Sequence, residues 1–395
     1  MKPKKILILT TGQPATNPRV VKEYLAFKQA GFETKVLYSY WTRWADSQQA
    51  ELFKTYQLAK EDFILVGGHP KNQKILYFVT RLFHKLAQWV IPNSPIAITR
   101  TGAFLFVKAL RLNSDLYIGH NLGALPAAVW AAKRNKAHAG FDAEDFHRGE
   151  WPIGSAMQKR VARIEQKYFP ELSYFSAASP LTRERYQKLF PNVKSHCINN
   201  VFSKKDFVLR PESKEKISLV WFSQNINRGR GLELIVPSIF EKRDRFQLVL
   251  IGQLNQDFYE EALKPYVECL LIKEPMTQLK LNAEVCYYDI GLALEPGKDE
   301  NNLIAISNKI WAYYQAGLFI MATDTPGQDL FLRDYPEHGV VVKRSKEEID
   351  LALCQILKNI NSIRAHKQDR FLRAQANGWE SESAKLLKFV GDLSS

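Results

Sequence analysis

Short apolar runs rich in β-branched residues alternate with helix-length segments along almost the whole chain, and this alternation restricts the fold more than any other feature. ILILTT, ETKVLYSY, DFILVGG, LYIGH, HAGFDAE, YFSAAS and SHCINNVF come first; ISLVWFSQ, FQLVLIGQ, VECLLIKE, IGLALEP, LFIMATD and GVVVKR follow. Runs this continuous in apolar character belong to strands covered on both faces, and the helix-length spacers supply the cover. The expected class is α/β, with two parallel, doubly wound domains. At 395 residues the chain is too long for one compact core. The polar stretch SKKDFVLRPESKEK, 203–216, is the expected linker, giving domains at 1–205 and 206–376. The last segment, 377–395, carries apolar residues at helical spacing and is expected to form a terminal helix.

A composition of 46% hydrophobic and 24% charged residues excludes long disordered tracts. Cys197, Cys269, Cys286 and Cys354 are scattered without a CxxC pair, which argues for a reducing compartment and against a zinc or disulfide framework. The opening MKPKKILILTTGQ is basic, but its apolar run is short and leads into a glycine loop, so it reads as a first strand rather than a signal peptide. No stretch approaches the roughly 18 uninterrupted apolar residues of a spanning helix, and a cytoplasmic location is expected.

The formal charge is +14, and residues 63–114 contain no Asp or Glu while holding Lys71, Lys74, Arg81, Lys85, Arg100, Lys108 and Arg111. Within that stretch Ile75, Phe78, Val79, Leu82, Phe83, Leu86, Trp89 and Val90 recur at helical spacing. Two readings stand: a helix on an anionic membrane surface, with 71–111 as the contact, or an amphipathic core helix with a solvated basic edge. Nucleic acid is not an expected partner, because no helix-turn-helix, zinc finger or RRM signature accompanies the charge.

Ligands of doubly wound sheets bind at the carboxyl ends of the strands, so the loops there carry the chemistry. After the first strand, Gly12 permits close approach of a ligand to backbone, and Asn17 and Pro18 suit a helix start. QNINRGRGLELI sets Arg228 and Arg230 just before an apolar helix, where guanidinium groups beside free helix N–H groups suit a diphosphate. SNKIWAYYQAG places Ser307, Asn308 and Lys309 at a helix mouth, the serine as a cap and the lysine against the helix dipole unless an anion is present. Glu295, at a strand end, is either a hydroxyl acceptor or a solvated loop carboxylate. His120, which ends another strand, is either a hydrogen-bonded structural residue or a catalyst, and FDAEDFHRGE gathers Asp142, Glu144, Asp145, His147 and Glu150, a group able to hold a sugar acceptor or move its proton. A metal is not expected there, HxxE spacing being weak evidence by itself.

The order and spacing of these stretches resemble a GT-B fold glycosyltransferase, and glycosyltransferase family 4 most. NPRVVKEYLAFKQAGFETKVL resembles that family's opening helix and second strand. YIGHNLGALPAAVWAAKRNKAHAGFDAEDFH resembles its histidine-containing strand and the aspartate segment after it, and HCINNVFSKKDF the entry to the second domain. RGRGLELI resembles the diphosphate loop, SNKIWAYYQAGLFIMATD the donor-binding helix and strand, and NGWESESAKLLKFV the tryptophan-led last helix. The resemblance implies two Rossmann-like parallel-sheet domains facing a central cleft, with the last helix crossing back to the first domain.

It also implies a retaining transfer from a UDP- or GDP-sugar, used as substrate with no cofactor and no metal, to a glycan or lipid-linked acceptor. The setting would be cell-envelope polysaccharide synthesis, in the cytoplasm or peripherally on the inner face of the membrane. On this reading Asp142, His120 and Arg230 are catalytic. The donor is held by Gly12, Gln224, Arg228, Arg230, Glu295, Asn302, Ser307, Asn308 and Lys309, and the acceptor by Asn17, Arg19, Glu144 and His147. Two departures stand out: Gln224 occupies the arginine position of the family's basic pair, and Ile304 and Ala312 occupy the positions of its two glutamates. The glutamate departure keeps open a non-catalytic glycan or nucleotide binding protein, and a sugar-nucleotide epimerase is a third reading.

Overall fold

The computed structural model describes residues 4–210 and 215–394, and Pro211–Lys214 of the expected linker lie outside them. The chain divides into two compact units, Met1–Asn199 with Ser383–Ser395, and Asn200–Glu382.

The first unit is built on a seven-stranded sheet: β1 (Lys5–Thr10), β2 (Glu33–Ser39), β3 (Phe63–Val66), β4 (Leu116–His120), β5 (His138–Ala143), β6 (Tyr174–Ala177) and β7 (Ser195–Cys197), in the order β3-β2-β1-β4-β5-β6-β7. The second holds six: β8 (Ile217–Ile226), β9 (Phe246–Leu254), β10 (Leu270–Lys273), β11 (Ile290–Ala293), β12 (Phe319–Thr323) and β13 (Gly339–Val342), in the order β10-β9-β8-β11-β12-β13. Every pairing is parallel. All thirteen apolar runs named from the sequence are strands.

Both sheets start in the middle, wind to one edge, return across the first strand and wind to the other. The direction reverses between β1 and β4 in one sheet and between β8 and β11 in the other, and at such a reversal the flanking loops part and leave a crevice. The strands beside it are apolar on both faces because helices cover both. In the second unit Leu219, Trp221, Leu248 and Leu250 belong to one buried cluster, Val220, Phe222, Val249 and Ile251 to another. Alternate residues of one strand thus serve opposite faces.

The expected linker is not a free connector. The second unit begins at Asn200, and Val201, Phe202 and Phe207 are buried in its core. Of these three only Phe207 falls within the expected linker, where its polar neighbours masked it; Val201 and Phe202 end the apolar run SHCINNVF. The terminal helix runs Trp379–Gly391; Phe389 stacks on His196 at 4.1 Å and meets Tyr174 edge-on at 4.8 Å.

Candidate functional site

The second unit's crevice is lined from two loops. After β8 the chain turns through Asn227–Gly231 into the helix Leu232–Phe240. Gly231 has φ +82°, and a Cβ there would stand 2.7 Å from the Leu294 Cβ. Only glycine allows both the left-handed backbone and this approach, which brings the Arg230 turn onto the end of β11 beside Glu295. After β11 the chain passes Glu295 and a polar loop before the helices Glu300–Ile304 and Asn308–Gln315. Gly291 of β11 leaves its place to the Tyr313 ring, whose hydroxyl donates to the Leu292 carbonyl at 3.3 Å. The 308–315 helix is thereby pressed close to the strand, with its first turn over the strand's end.

There Lys309 Nζ donates to Glu295 Oε1 at 2.8 Å, and Asn302 Nδ2 donates to Glu295 Oε2 at 3.1 Å. Burial works against the Glu295 charge, but the charge and hydrogen bond of Lys309, the Asn302 bond and the charge of Arg230 hold its pKa below the usual carboxylate range. Asn302 Oδ1 accepts the amides of Gly297 and Lys298 at 2.6 and 3.3 Å, Asp299 caps Asn302 at 2.7 Å, and Thr323 Oγ1 holds the Glu295 carbonyl at 2.7 Å. The loop is rigidly self-bonded.

Several expectations change in detail. Lys309 is not a lone cation awaiting an anion, since Glu295 is its counter-ion. Glu295 is neither a solvated carboxylate nor an open acceptor, and Asn302 is engaged in its own loop. Ser307 is at the N-cap with extended φ/ψ, but its side chain caps nothing: its Oγ is buried and, among the described residues, has no hydrogen-bond partner. Asn308 accepts from Asn200 at 2.9 Å. Arg228 pairs with Glu261, so it is not half of a clamp. Arg230 is exposed and, among the described residues, makes no hydrogen bond or ion pair. Gln224 is exposed near the end of β8, and Gly12 lies in the first unit, in the turn after β1. Sequence reading missed Arg344, which bonds the Pro296 carbonyl and Asp324 and braces the loop from beyond β13. No local pattern marks it.

In the first unit strand register makes a polar row. Thr10, His120, Asp142, Ser176 and His196 are successive cross-strand partners on β1, β4, β5, β6 and β7. Arg19 and Glu23, four apart on the helix Pro18–Gln29, meet this row from one helical face. Arg19 Nε and Nη2 each donate to Asp142 at 2.6 Å, and Arg19 Nη1 donates to the Ile198 carbonyl at 2.8 Å. Ser176 Oγ donates to Asp142 at 2.5 Å. His120 Nε2 is 3.0 Å from Glu23, and Nδ1 is 3.1 Å from Glu144 and 3.4 Å from Asp142.

These groups are sealed: Arg19, Glu23, His120 and Asp142 are all within 1% of full burial. Burial alone would depress the His120 pKa, but the Glu23 charge, hydrogen bonds to Glu144 and Glu23, and the Asp142 charge push it to about 10. Glu23 is itself raised by burial. Asp142 is lowered, with Arg19 and His120 outweighing burial. His120 is therefore an imidazolium with both nitrogens engaged, not a base. Asp142 has no face open to an acceptor proton, and Arg19 none to a sugar, so the structure corrects all three assignments. Glu23, His120 and Asp142 bring ligand atoms within 4.8 Å of one another, a spacing that suits a cation, and the Arg19 guanidinium lies against the Asp142 side of this group.

Because the folded pKa of His120 lies above its ordinary 6.5, its contribution to stability is full below pH 6.5 and is lost as pH rises toward about 10. Urea midpoints are expected to fall across that window; a flat profile contradicts the imidazolium assignment.

Asn17 caps its helix through the Val20 amide at 3.3 Å. Glu144 forms the half-buried edge of the cluster. His147 lies buried in the turn His147–Glu150, its pKa raised against burial by Glu150 at 3.0 Å, and among the described residues its Nε2 makes no hydrogen bond.

No protein-family model and no curated protein matches the chain. Solved structures do. Sucrose-phosphate synthase from Thermosynechococcus elongatus aligns at TM-score 0.71 and 12% identity, covering 99% of each chain. The pneumococcal O-GlcNAc transferase GtfA, in complex with UDP and GlcNAc, aligns at 0.69 and 11%, covering 100% of this chain and 99% of its own. Anabaena HepE in complex with UDP-glucose aligns at 0.68 and 11%, covering 98% and 99%. The chain has the GT-B fold. Within this GT-B chain, Ile304 and Ala312, at the positions that the resemblance gives to the glutamate pair, are buried in the second unit.

Proposed function

We propose that the chain is a retaining glycosyltransferase that moves a sugar from a UDP- or GDP-sugar to a glycan or lipid-linked acceptor in envelope polysaccharide synthesis, in the cytoplasm at the inner face of the membrane. The observation that carries this reading is the convergence at the β8/β11 reversal of Arg230 and the Ser307 hydroxyl, both without a partner among the described residues, with the Lys309–Glu295 pair and the first turn of the 308–315 helix. Solved structures of the same fold hold UDP or UDP-glucose, which agrees with a nucleotide-sugar donor.

In the reaction the bond from the sugar anomeric carbon to the diphosphate oxygen breaks and a bond to the acceptor oxygen forms on the same face. The acceptor proton passes to the departing diphosphate oxygen, a course that needs no base from the sealed Asp142 cluster. Negative charge grows on the leaving diphosphate, so Arg230, Lys309 and the helix N–H groups act most strongly in the transition state.

Thermal shift with UDP, GDP and their sugars is the direct test, because a ligand at 100 times its Kd stabilises by about 2.7 kcal/mol. A rise in Tm with one nucleotide series is expected, and no rise with any of them rejects the donor reading. Ile304 and Ala312, apolar where the resemblance places two glutamates, favour a second reading, a binding protein without turnover. Donor binding with no sugar transfer or release over long incubation selects it.

A further inference from the structure

The helix Lys74–Val90 is turned inside out relative to an ordinary surface helix. Its buried residues are Thr80 and Ala87, and Tyr77 and His84 lie half-buried on the same line, giving a seam at 77, 80, 84 and 87. Polar bonds fasten this seam to the first unit. Thr80 Oγ1 donates to the Gly67 carbonyl at 3.1 Å, Arg100 donates to Thr80 at 2.6 Å and stacks 4.5 Å over Tyr77, and His84 Nε2 stands 3.2 Å from the Ala97 carbonyl. The apolar stripe points the other way: Ile75 is 84% exposed, Phe78 67% and Trp89 82%, with Leu82 and Leu86 about half exposed between them. The reading of this segment as a core helix with a wet basic edge is thus corrected, since its apolar face is the wet one.

Lys74, Arg81 and Lys85, spaced at 0, 7 and 11 residues, form an exposed stripe along one flank of that apolar face. Residues 63–114 contribute no carboxylate to neutralise it. We propose that this helix lies in the interfacial zone of an anionic bilayer, its apolar face among the upper acyl chains and its basic stripe against lipid phosphates. Charge complementarity selects this occupant over a second copy of the chain, because two copies meeting here would bring uncompensated basic stripes into one interface. Among the described residues no helix is long and apolar enough to cross a membrane, so the helix lies on the surface rather than through it.

The inference deepens the peripheral placement in the proposed function, but its residues are separate from the donor turn, so either reading can fail alone. The test is co-sedimentation of the full chain with phosphatidylglycerol/phosphatidylcholine vesicles and with pure phosphatidylcholine vesicles. Wild type is expected to pellet with the anionic vesicles and far less with the neutral ones. Lys74→Gln/Arg81→Gln/Lys85→Gln is expected to lower affinity about 10²-fold, at about one factor of five per basic residue, and Phe78→Ser/Trp89→Ser to abolish pelleting. All five residues are exposed, so circular dichroism and Tm should stay at wild-type values. The proposal is overturned if wild type stays in the supernatant with anionic vesicles, or if either variant pellets like wild type. It is equally overturned if sedimentation shows a dimer that Phe78→Ser/Trp89→Ser disperses while vesicles fail to bind.

Discussion

Arg230→Ala is expected to lower the rate of sugar transfer by about 10²–10³-fold while leaving Tm unchanged. The side chain is exposed and makes no hydrogen bond or ion pair among the described residues, so its loss removes no folded-state contact. Its charge nonetheless reaches Glu295, which places it at the mouth of the β8/β11 crevice. Arg230→Lys should recover part of the rate, since a point charge replaces a planar fork. Arg228→Ala, two residues away, is the control. That guanidinium is half-exposed and paired with Glu261, and its removal should change the rate little. Steady-state transfer with a radiolabelled donor reads all three, and an Arg230→Ala rate equal to wild type removes Arg230 from the mechanism.

The second large effect is on stability. Asp142→Leu leaves Arg19 charged at 1% exposure with neither of its two carboxylate bonds, and is expected to cost about 3–5 kcal/mol in urea denaturation. Arg19→Met should cost a similar amount by stranding Asp142. The double variant Arg19→Met/Asp142→Leu should recover a good part of either loss, because a buried pair replaced whole by apolar groups costs much less than a pair broken. A catalytic Asp142 makes a different pattern: Asp142→Leu would abolish transfer with the urea midpoint held, and the second substitution would rescue nothing.

The thirteen strands were legible because a parallel strand with helices on both faces has no wet side, so its apolar run is unbroken and easily bounded. The donor-side turn was partly legible for the complementary reason: Arg230 and Lys309 oppose a helix dipole, an arrangement that local structure alone does not favour. What was not legible depends on register. Arg19 and Asp142 are 123 residues apart, and only the side-by-side placement of His120 and Asp142 on β4 and β5 turns separate motifs into one sealed cluster. Arg344 braces a loop 48 residues upstream with no sequence signal. For the 74–90 helix, periodicity gave the existence of an apolar face but not its direction. The direction follows from Arg100 and two backbone carbonyls, which hold the opposite seam by polar bonds.

The 2.8 Å contact of Lys309 with Glu295 neutralises Lys309 at rest and leaves Arg230 beside it with the uncompensated charge. On the donor reading, an incoming anion meets Arg230 first and gains Lys309 only by displacing a resident carboxylate, which favours the more highly charged of two competing anions. Once Lys309 turns toward a diphosphate, Glu295 is released with an oxygen free for a sugar or ribose hydroxyl, so the carbohydrate half of the donor is gripped only after the phosphate half has arrived.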